Sequence, residues 1–272
     1  MKDFYGLPVQ EISNGSLRAV CLAETGPRIV GLFAESLPGN LLAETPQAYQ
    51  DTPAGRYLLH GGHRLWEAPE VVGVTGLPEG EVSLNILDAG LRIQGAPNPL
   101  GLQKTMEIEF TAPRSLRIRH HIANLDMQDF HLAAWGITQL QPGCTVLVPQ
   151  PARPAEQAKM PDRNIVLWPY SIWPPDAISF NEHGLHFDPA AVQPPFKFGT
   201  YAPAGWARAV YESYTFTKRF SAQLDAHYPD YGCNLEIYVG EGYVEIESLS
   251  PLTSLPPGAT LSHEEIWEIE LA

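Results

Sequence analysis

Leu102-Gln103-Lys104-Thr105-Met106-Glu107-Ile108-Glu109-Phe110 is the stretch that decides the fold class. From Lys104 to Phe110 polar and apolar side chains alternate, the period-two pattern of a strand with one face on a core and one in water. Thr111-Ala112-Pro113 then breaks the run, and Ser115 to Asn124 resumes it. Asp126-Met127-Gln128-Asp129 breaks it again before a third run, His131 to Gln139. Working towards the N-terminus, Arg18 to Ala23 and Arg28 to Phe33 read as two strands around Thr25-Gly26-Pro27. Towards the C-terminus come Ala207 to Tyr211, Tyr214 to Phe220, Asn234 to Val239, Tyr243 to Leu249 and Leu261 to Ile269. Short strands at even spacing, with 26 prolines and 23 glycines scattered among them, predict an all-β chain folded as a large antiparallel β-sandwich. Helical periodicity is hard to find. The Pro- and Trp-rich segment from Pro149 to Pro195 is expected to form ordered loops and short strands over one face. At 272 residues with no composition break, the chain is expected to be a single domain over 1–272.

The formal charge of −14, with only 17 basic residues and no run of them, argues against nucleic acid as a partner. An acidic surface is compatible with a neutral small molecule such as a sugar. Cys21, Cys144 and Cys233 are far apart and odd in number, which fits neither a disulfide framework nor a zinc site. They are expected to be buried thiols in a reducing compartment. With no signal-peptide core and no long apolar stretch, the expectation is a cytoplasmic protein without membrane contact. No cofactor is expected. His120 and His121 are adjacent in a strand and so point to opposite faces, and no histidine pair with a carboxylate has evident ligand spacing, so no catalytic metal is expected.

Four segments carry a resemblance. They are HGGHRLWEAPE from His60 to Glu70, NLDMQDFHLAAWGITQL from Asn124 to Leu140, HYPDYGCNLEIYV from His227 to Val239, and VEIESLSPLTSLPPGATLSHEEIWEI from Val244 to Ile269. Together they resemble the galactose mutarotase-like (aldose 1-epimerase) superfamily, above all its bacterial members with a Gly-Gly-His-Arg-Leu-Trp signature. The resemblance implies a galactose mutarotase-like supersandwich holding a carbohydrate in an open cleft. It also implies acid–base chemistry at the anomeric centre: one group takes the hydroxyl proton, another protonates the ring oxygen.

By motif position Glu236 corresponds to the family's base, and His60, with His63 beside it, to its acid. Alternation places Glu236 opposite Leu235 and Ile237 without saying whether that face is a cleft. Gly61 and Gly62 would let backbone approach a ligand, with Arg64 offering a rigid fork of donors; a structural pairing of Arg64 with Glu67 or Glu70 is the competing reading. Trp66, Trp135, Trp168, Trp173 and Trp206 are candidate platforms for a sugar ring or, individually, core residues; Trp66 and Trp173 are expected to be exposed. Lys197, His227 and Asp230 lie in loop-like sequence and are further candidate contacts. Glu247, ending a strand before Ser250-Pro251, reads slightly better as a buried structural carboxylate. Trp135 stands where the family has its second histidine. Two functions therefore follow from the resemblance: an aldose 1-epimerase-like isomerase, or a carbohydrate-recognition domain without catalysis. A sandwich with no ligand is the third.

Overall fold

The computed structural model describes residues 3–73, 75–150, 163–181 and 183–272. Nearly all regular structure is β, in two large sheets and a two-stranded hairpin, with antiparallel pairing throughout the named strand pairs. The chain folds as a β-sandwich.

The opening sequence behaves as its pattern demands. Leu102–Ala112 and Ser115–Asn124 pair antiparallel, with Met106 opposite His120 and Ile108 opposite Ile118. Met106 and Ile108 are fully buried while Glu107 and Glu109 keep contact with solvent. This pair sits within a 10-stranded sheet that also holds Tyr214–Phe220 and the long C-terminal strand Thr260–Leu271. An 11-stranded sheet faces it. At its centre, in spatial order, are Arg28–Ala34, His63–Ala68, Phe130–Leu140, Tyr243–Leu249, Leu235–Gly240 and Phe196–Thr200.

Alternation divides the hydrophobic residues of the 11-stranded sheet between two clusters. Leu65, Ala134, Leu140, Ile246 and Ile237 point inward and join Ile93, Ile108 and Ile118 of the other sheet in one core. Trp66, Ala133, Trp135, Ile137 and Leu249 point outward and gather with Tyr57 of the hairpin Glu44–Thr52/Gly55–Gly61. The outward face of this sheet is thus roofed in part by the hairpin, and the rest of it forms the site described below. All three cysteines are free and buried. No helix among the described residues is long and apolar enough to cross a membrane.

Candidate functional site

Residues directly opposed in an antiparallel pair project to the same face. Arg64 opposes Ile137 and Trp66 opposes Trp135. Ile137 opposes Glu247 and Gln139 opposes Glu245 on the next strand. Glu247 opposes Glu236, Glu245 opposes Tyr238, and Tyr238 opposes Lys197. Register alone therefore lays Arg64, Trp66, Trp135, Glu245, Glu247, Glu236 and Lys197 on one outward surface. Segments more than a hundred residues apart in the chain meet there.

All these residues but Glu236 line a cleft of about 190 Å³, with Glu70 completing its charged and indole lining and Tyr170, Tyr238 and Tyr243 at its sides. Lys197 Nζ lies 2.7 Å from Glu236 Oε2 and 2.8 Å from Glu247 Oε2. Its ammonium also sits over two indoles, 4.5 Å from the ring centre of Trp135 and 4.6 Å from that of Trp168. Trp135 Nε1 donates to Glu247 at 2.7 Å. Arg64 Nη2 donates to Glu245 at 2.9 Å, and its guanidinium lies over Trp66. Trp66 in turn donates from Nε1 to the Tyr57 hydroxyl at 2.9 Å.

Burial sets the electrostatics. Burial pushes Glu245 up to about 7, against the opposing pull of Arg64. Burial acts on Glu247 in the same direction, but Lys197 and Arg64 outweigh it and hold this carboxyl below the usual range. Glu236, fully enclosed beneath the cleft, is driven well above the carboxylate range by desolvation, against the pull of Lys197. One proton is thus shared out between two adjacent cleft carboxyls, and Lys197 is balanced chiefly by Glu247. The Glu245 and Glu247 carboxyls also hydrogen-bond one another, while Nε and Nη1 of Arg64 are buried without a hydrogen-bond partner.

Of the residues singled out in the sequence, the structure brings Glu236, Arg64, Trp66, Trp135 and Lys197 together. Trp66 departs from its expected exposure: it is only 5% exposed, edge-on to both Tyr57 and Trp135. Trp173 is 46% exposed, as expected, and sits on an adjoining surface instead of in the cleft. Asp230 is near enough to Glu236 to raise it further, and with Tyr231 occupies the left-handed region, at φ of 49° and 60°. His227 is exposed, and Leu252 N–H donates to its backbone carbonyl. Arg64 pairs with Glu245, not with Glu67 or Glu70; Glu67 pairs with Lys104 at 3.0 Å. Glu247, read from sequence as more structural, lines the cleft.

The two candidate acids do not join Glu236. His60 takes φ of 57° and lines a separate hollow with Arg56, Leu58 and Glu79. Burial and the nearby Arg28 lower it to about 4. Gly61 and Gly62 serve backbone packing, not ligand approach. A Cβ on Gly61 would meet the Ala43 carbonyl at 2.2 Å, and one on Gly62 the Ile29 carbonyl at 2.0 Å. After that turn His63 points inward, where it is fully buried.

There it enters a hydrogen-bonded chain between the sheets whose direction is fixed at both ends. His120 Nδ1 lies 3.1 Å from the His263 carbonyl, which only accepts, so this nitrogen carries the proton. His120 Nε2 therefore accepts from His63 Nε2 at 2.7 Å, and His63 Nδ1 accepts from Thr138 Oγ1 at 2.9 Å. Lys218 Nζ donates to Thr138 Oγ1 and to the carbonyls of Gly136 and Ile246, and is ion-paired with Glu265 at 3.0 Å. Ser248 donates to Glu265 at 2.6 Å and accepts from His263 Nε2 at 2.7 Å. His63, His120 and Glu265 put possible ligand atoms within 4.8 Å of one another, a grouping that strand spacing does not reveal because sheet packing creates it. It suits a metal poorly. Two Nε2 atoms 2.7 Å apart would force an ion at about 2.0 Å from each to an angle far below tetrahedral. The Lys218 ammonium already supplies the cation there.

A larger hollow of about 530 Å³ lies between Glu11–Asn14 and Ile86–Gly90. It gathers neither of the outward ion pairs, so volume alone does not select it.

No family model matches the chain, and no curated protein matches it. Solved structures do. A galactose mutarotase-like protein from Lactobacillus casei superimposes with a TM-score of 0.65 at 11% identity, over 97% of this chain and 100% of that one. A galactose mutarotase related enzyme from Lactobacillus acidophilus gives 0.54 at 10% identity, over 97% of each chain. A TPR-domain containing protein from Parabacteroides distasonis gives 0.65 at 12% identity, with 97% of this chain covering 47% of that one. At such identities the likeness is one of fold: the sandwich is of the galactose mutarotase-like type.

Proposed function

We propose that this protein binds a carbohydrate in the cleft between Arg64 and Lys197. The observation that carries the reading is the lining of that cleft, which sets charged groups of both signs, Arg64 and Lys197 with Glu245 and Glu247, beside indole and phenol rings. Sugar hydroxyls both donate and accept, so a ring bearing several can answer groups of either sign. Trp66 and Trp135 are nearly buried with a cation over each ring, so they add apolar wall to the cleft while the polar groups make the specific contacts. The galactose mutarotase-like fold supports the same ligand class. The test is isothermal titration against a panel of neutral aldoses and their acidic derivatives, with Arg64→Met as control. Saturable binding that Arg64→Met abolishes is expected; no binding across the panel would overturn the reading.

A second reading, anomer interconversion, is favoured by the divided protonation of Glu245 and Glu247. Neighbouring carboxyls driven in opposite directions provide an acid and a base side by side at neutral pH. Glu247 would take the anomeric hydroxyl proton while Glu245 protonates the ring oxygen, filling the role the resemblance gives to a histidine. Glu236 then holds Lys197 in place beneath them. Anomer-exchange NMR on a bound sugar separates the two readings: exchange faster than in buffer supports catalysis, and an unchanged rate leaves recognition alone.

A further inference from the structure

Beside the cleft lies a second hollow, about 380 Å³ in volume, with Tyr170 forming a wall common to both. Its character is different. Ile172, Trp173, Pro174, Val192 and Pro194 line it, with Gln193 as a polar exception. Ile172 is 86% exposed and Trp173 46%, large apolar side chains held out beside a charged cleft. The cleft itself, at about 190 Å³, is half the volume of this neighbouring hollow.

The two hollows are fixed relative to one another. Ser171, between Tyr170 and Ile172, accepts from Lys197 N–H at 2.7 Å and donates to the Lys197 carbonyl at 2.8 Å. The loop bearing Trp168, Tyr170 and Trp173 is thereby fastened to the backbone of the residue whose ammonium floors the cleft. The Ser171 N–H also closes a turn onto the Trp168 carbonyl at 2.9 Å. A ligand seated over Lys197 and extending past Tyr170 meets this apolar surface without any rearrangement.

Resting on the carbohydrate reading, we infer that the ligand is a sugar carrying an apolar substituent, an aryl or alkyl group that lies on the Trp173 and Ile172 shelf while the sugar occupies the cleft. An apolar substituent is favoured over a second sugar ring because the side chains of this hollow are mostly hydrocarbon and aromatic, with Gln193 and the polar tips of Tyr170 and Trp173 as the side-chain partners a set of hydroxyls would find.

The experiment compares matched methyl and phenyl glycosides of glucose and galactose, both anomers, by isothermal titration, together with lactose and maltose. The phenyl member of a matched pair is expected to bind about tenfold tighter than the methyl member, the scale of one aromatic contact plus its buried area. Trp173→Ala and, separately, Ile172→Ser should erase that advantage while leaving methyl glycoside affinity unchanged. Both side chains are substantially exposed, so neither replacement threatens folding, which a thermal melt verifies. Methyl and phenyl glycosides binding equally would overturn the shelf and leave the cleft standing. Disaccharides gaining tenfold where phenyl groups gain nothing would also overturn it, in favour of a second sugar. If no glycoside or disaccharide binds at all, the cleft reading fails and the shelf with it.

Discussion

The ammonium of Lys197 lies 2.7 Å from the carboxylate of Glu236, with both groups withdrawn from solvent under a cleft that opens to it. Such a pair is held against a large desolvation cost, so its two halves respond differently to replacement.

Lys197→Met strands the Glu247 carboxylate, and by analogy with other severed buried pairs it should cost about 3–5 kcal/mol. Glu236→Gln should cost far less, because burial already drives Glu236 towards its neutral form and an amide has nearly the same shape. Urea unfolding with a common m-value checks both. Equal losses would mean that Glu236 is ionised.

Glu245 predicts a pH dependence of known sign. Its folded-state value, raised from 4.5 to about 7, means that the stability it confers is complete below pH 4.5 and is lost as pH rises to about 7. The full swing is roughly 3 kcal/mol. Glu245→Gln should flatten the stability profile across that window and, if the protein catalyses anomer exchange, remove the limb of the rate profile near neutrality. Denaturant midpoints at pH 4.5, 6 and 7.5 measure the first effect; exchange NMR measures the second.

The interior histidines carry the opposite sign. Burial lowers His120 and His263 to about 3 and drives His63 well below 6.5. Their contribution is whole above pH 6.5 and declines as pH falls towards 3, by about 1.4 kcal/mol per pH unit for each ring that protonates on unfolding. Nitrogen-15 NMR should show three neutral rings at pH 5, with the proton on Nδ1 in His120 and on Nε2 in His63 and His263. A cationic ring, or the reverse tautomer at His120, would break the deduced chain of donors.

Gly62→Ala should yield little folded protein, since its Cβ would press on the Ile29 carbonyl at a φ of 68°. Gly242→Ala is the control: that turn has φ of 82° but open space around it, so only the backbone penalty of about 1 kcal/mol applies. Circular dichroism melts of the two variants give the comparison.

The sandwich was legible in the sequence because alternation is a local signal. The run Tyr243–Leu249 was read with its observed ends, and Leu102–Ala112 extends only two residues past the predicted stretch. The site was legible in part. Arg64, Trp66, Trp135, Lys197 and Glu236 do gather, but the histidines of the Gly-Gly motif do not, because a left-handed turn at His60 and the two glycines send His63 into the interior. Alternation along Tyr243-Val244-Glu245-Ile246-Glu247 places Glu245 on the same face as Glu247, a relation that carries no sign of a cleft until Arg64 is brought opposite it. What no strand pattern could supply was the pairing across sheets, such as His63 with His120, because that contact depends on how the two layers stack.

The pair of hydrogen bonds between Ser171 and the Lys197 backbone joins two surfaces of different make. The charges sit on β strands, whereas Ile172 and Trp173 ride on a loop held by those two bonds, by Trp168 against the Lys197 ammonium and by the short Val166–Leu167 strand before it. An exchange of Ile172 to Pro174 alone would therefore reshape the shelf while Tyr170, Ser171 and the strands of the cleft keep their places.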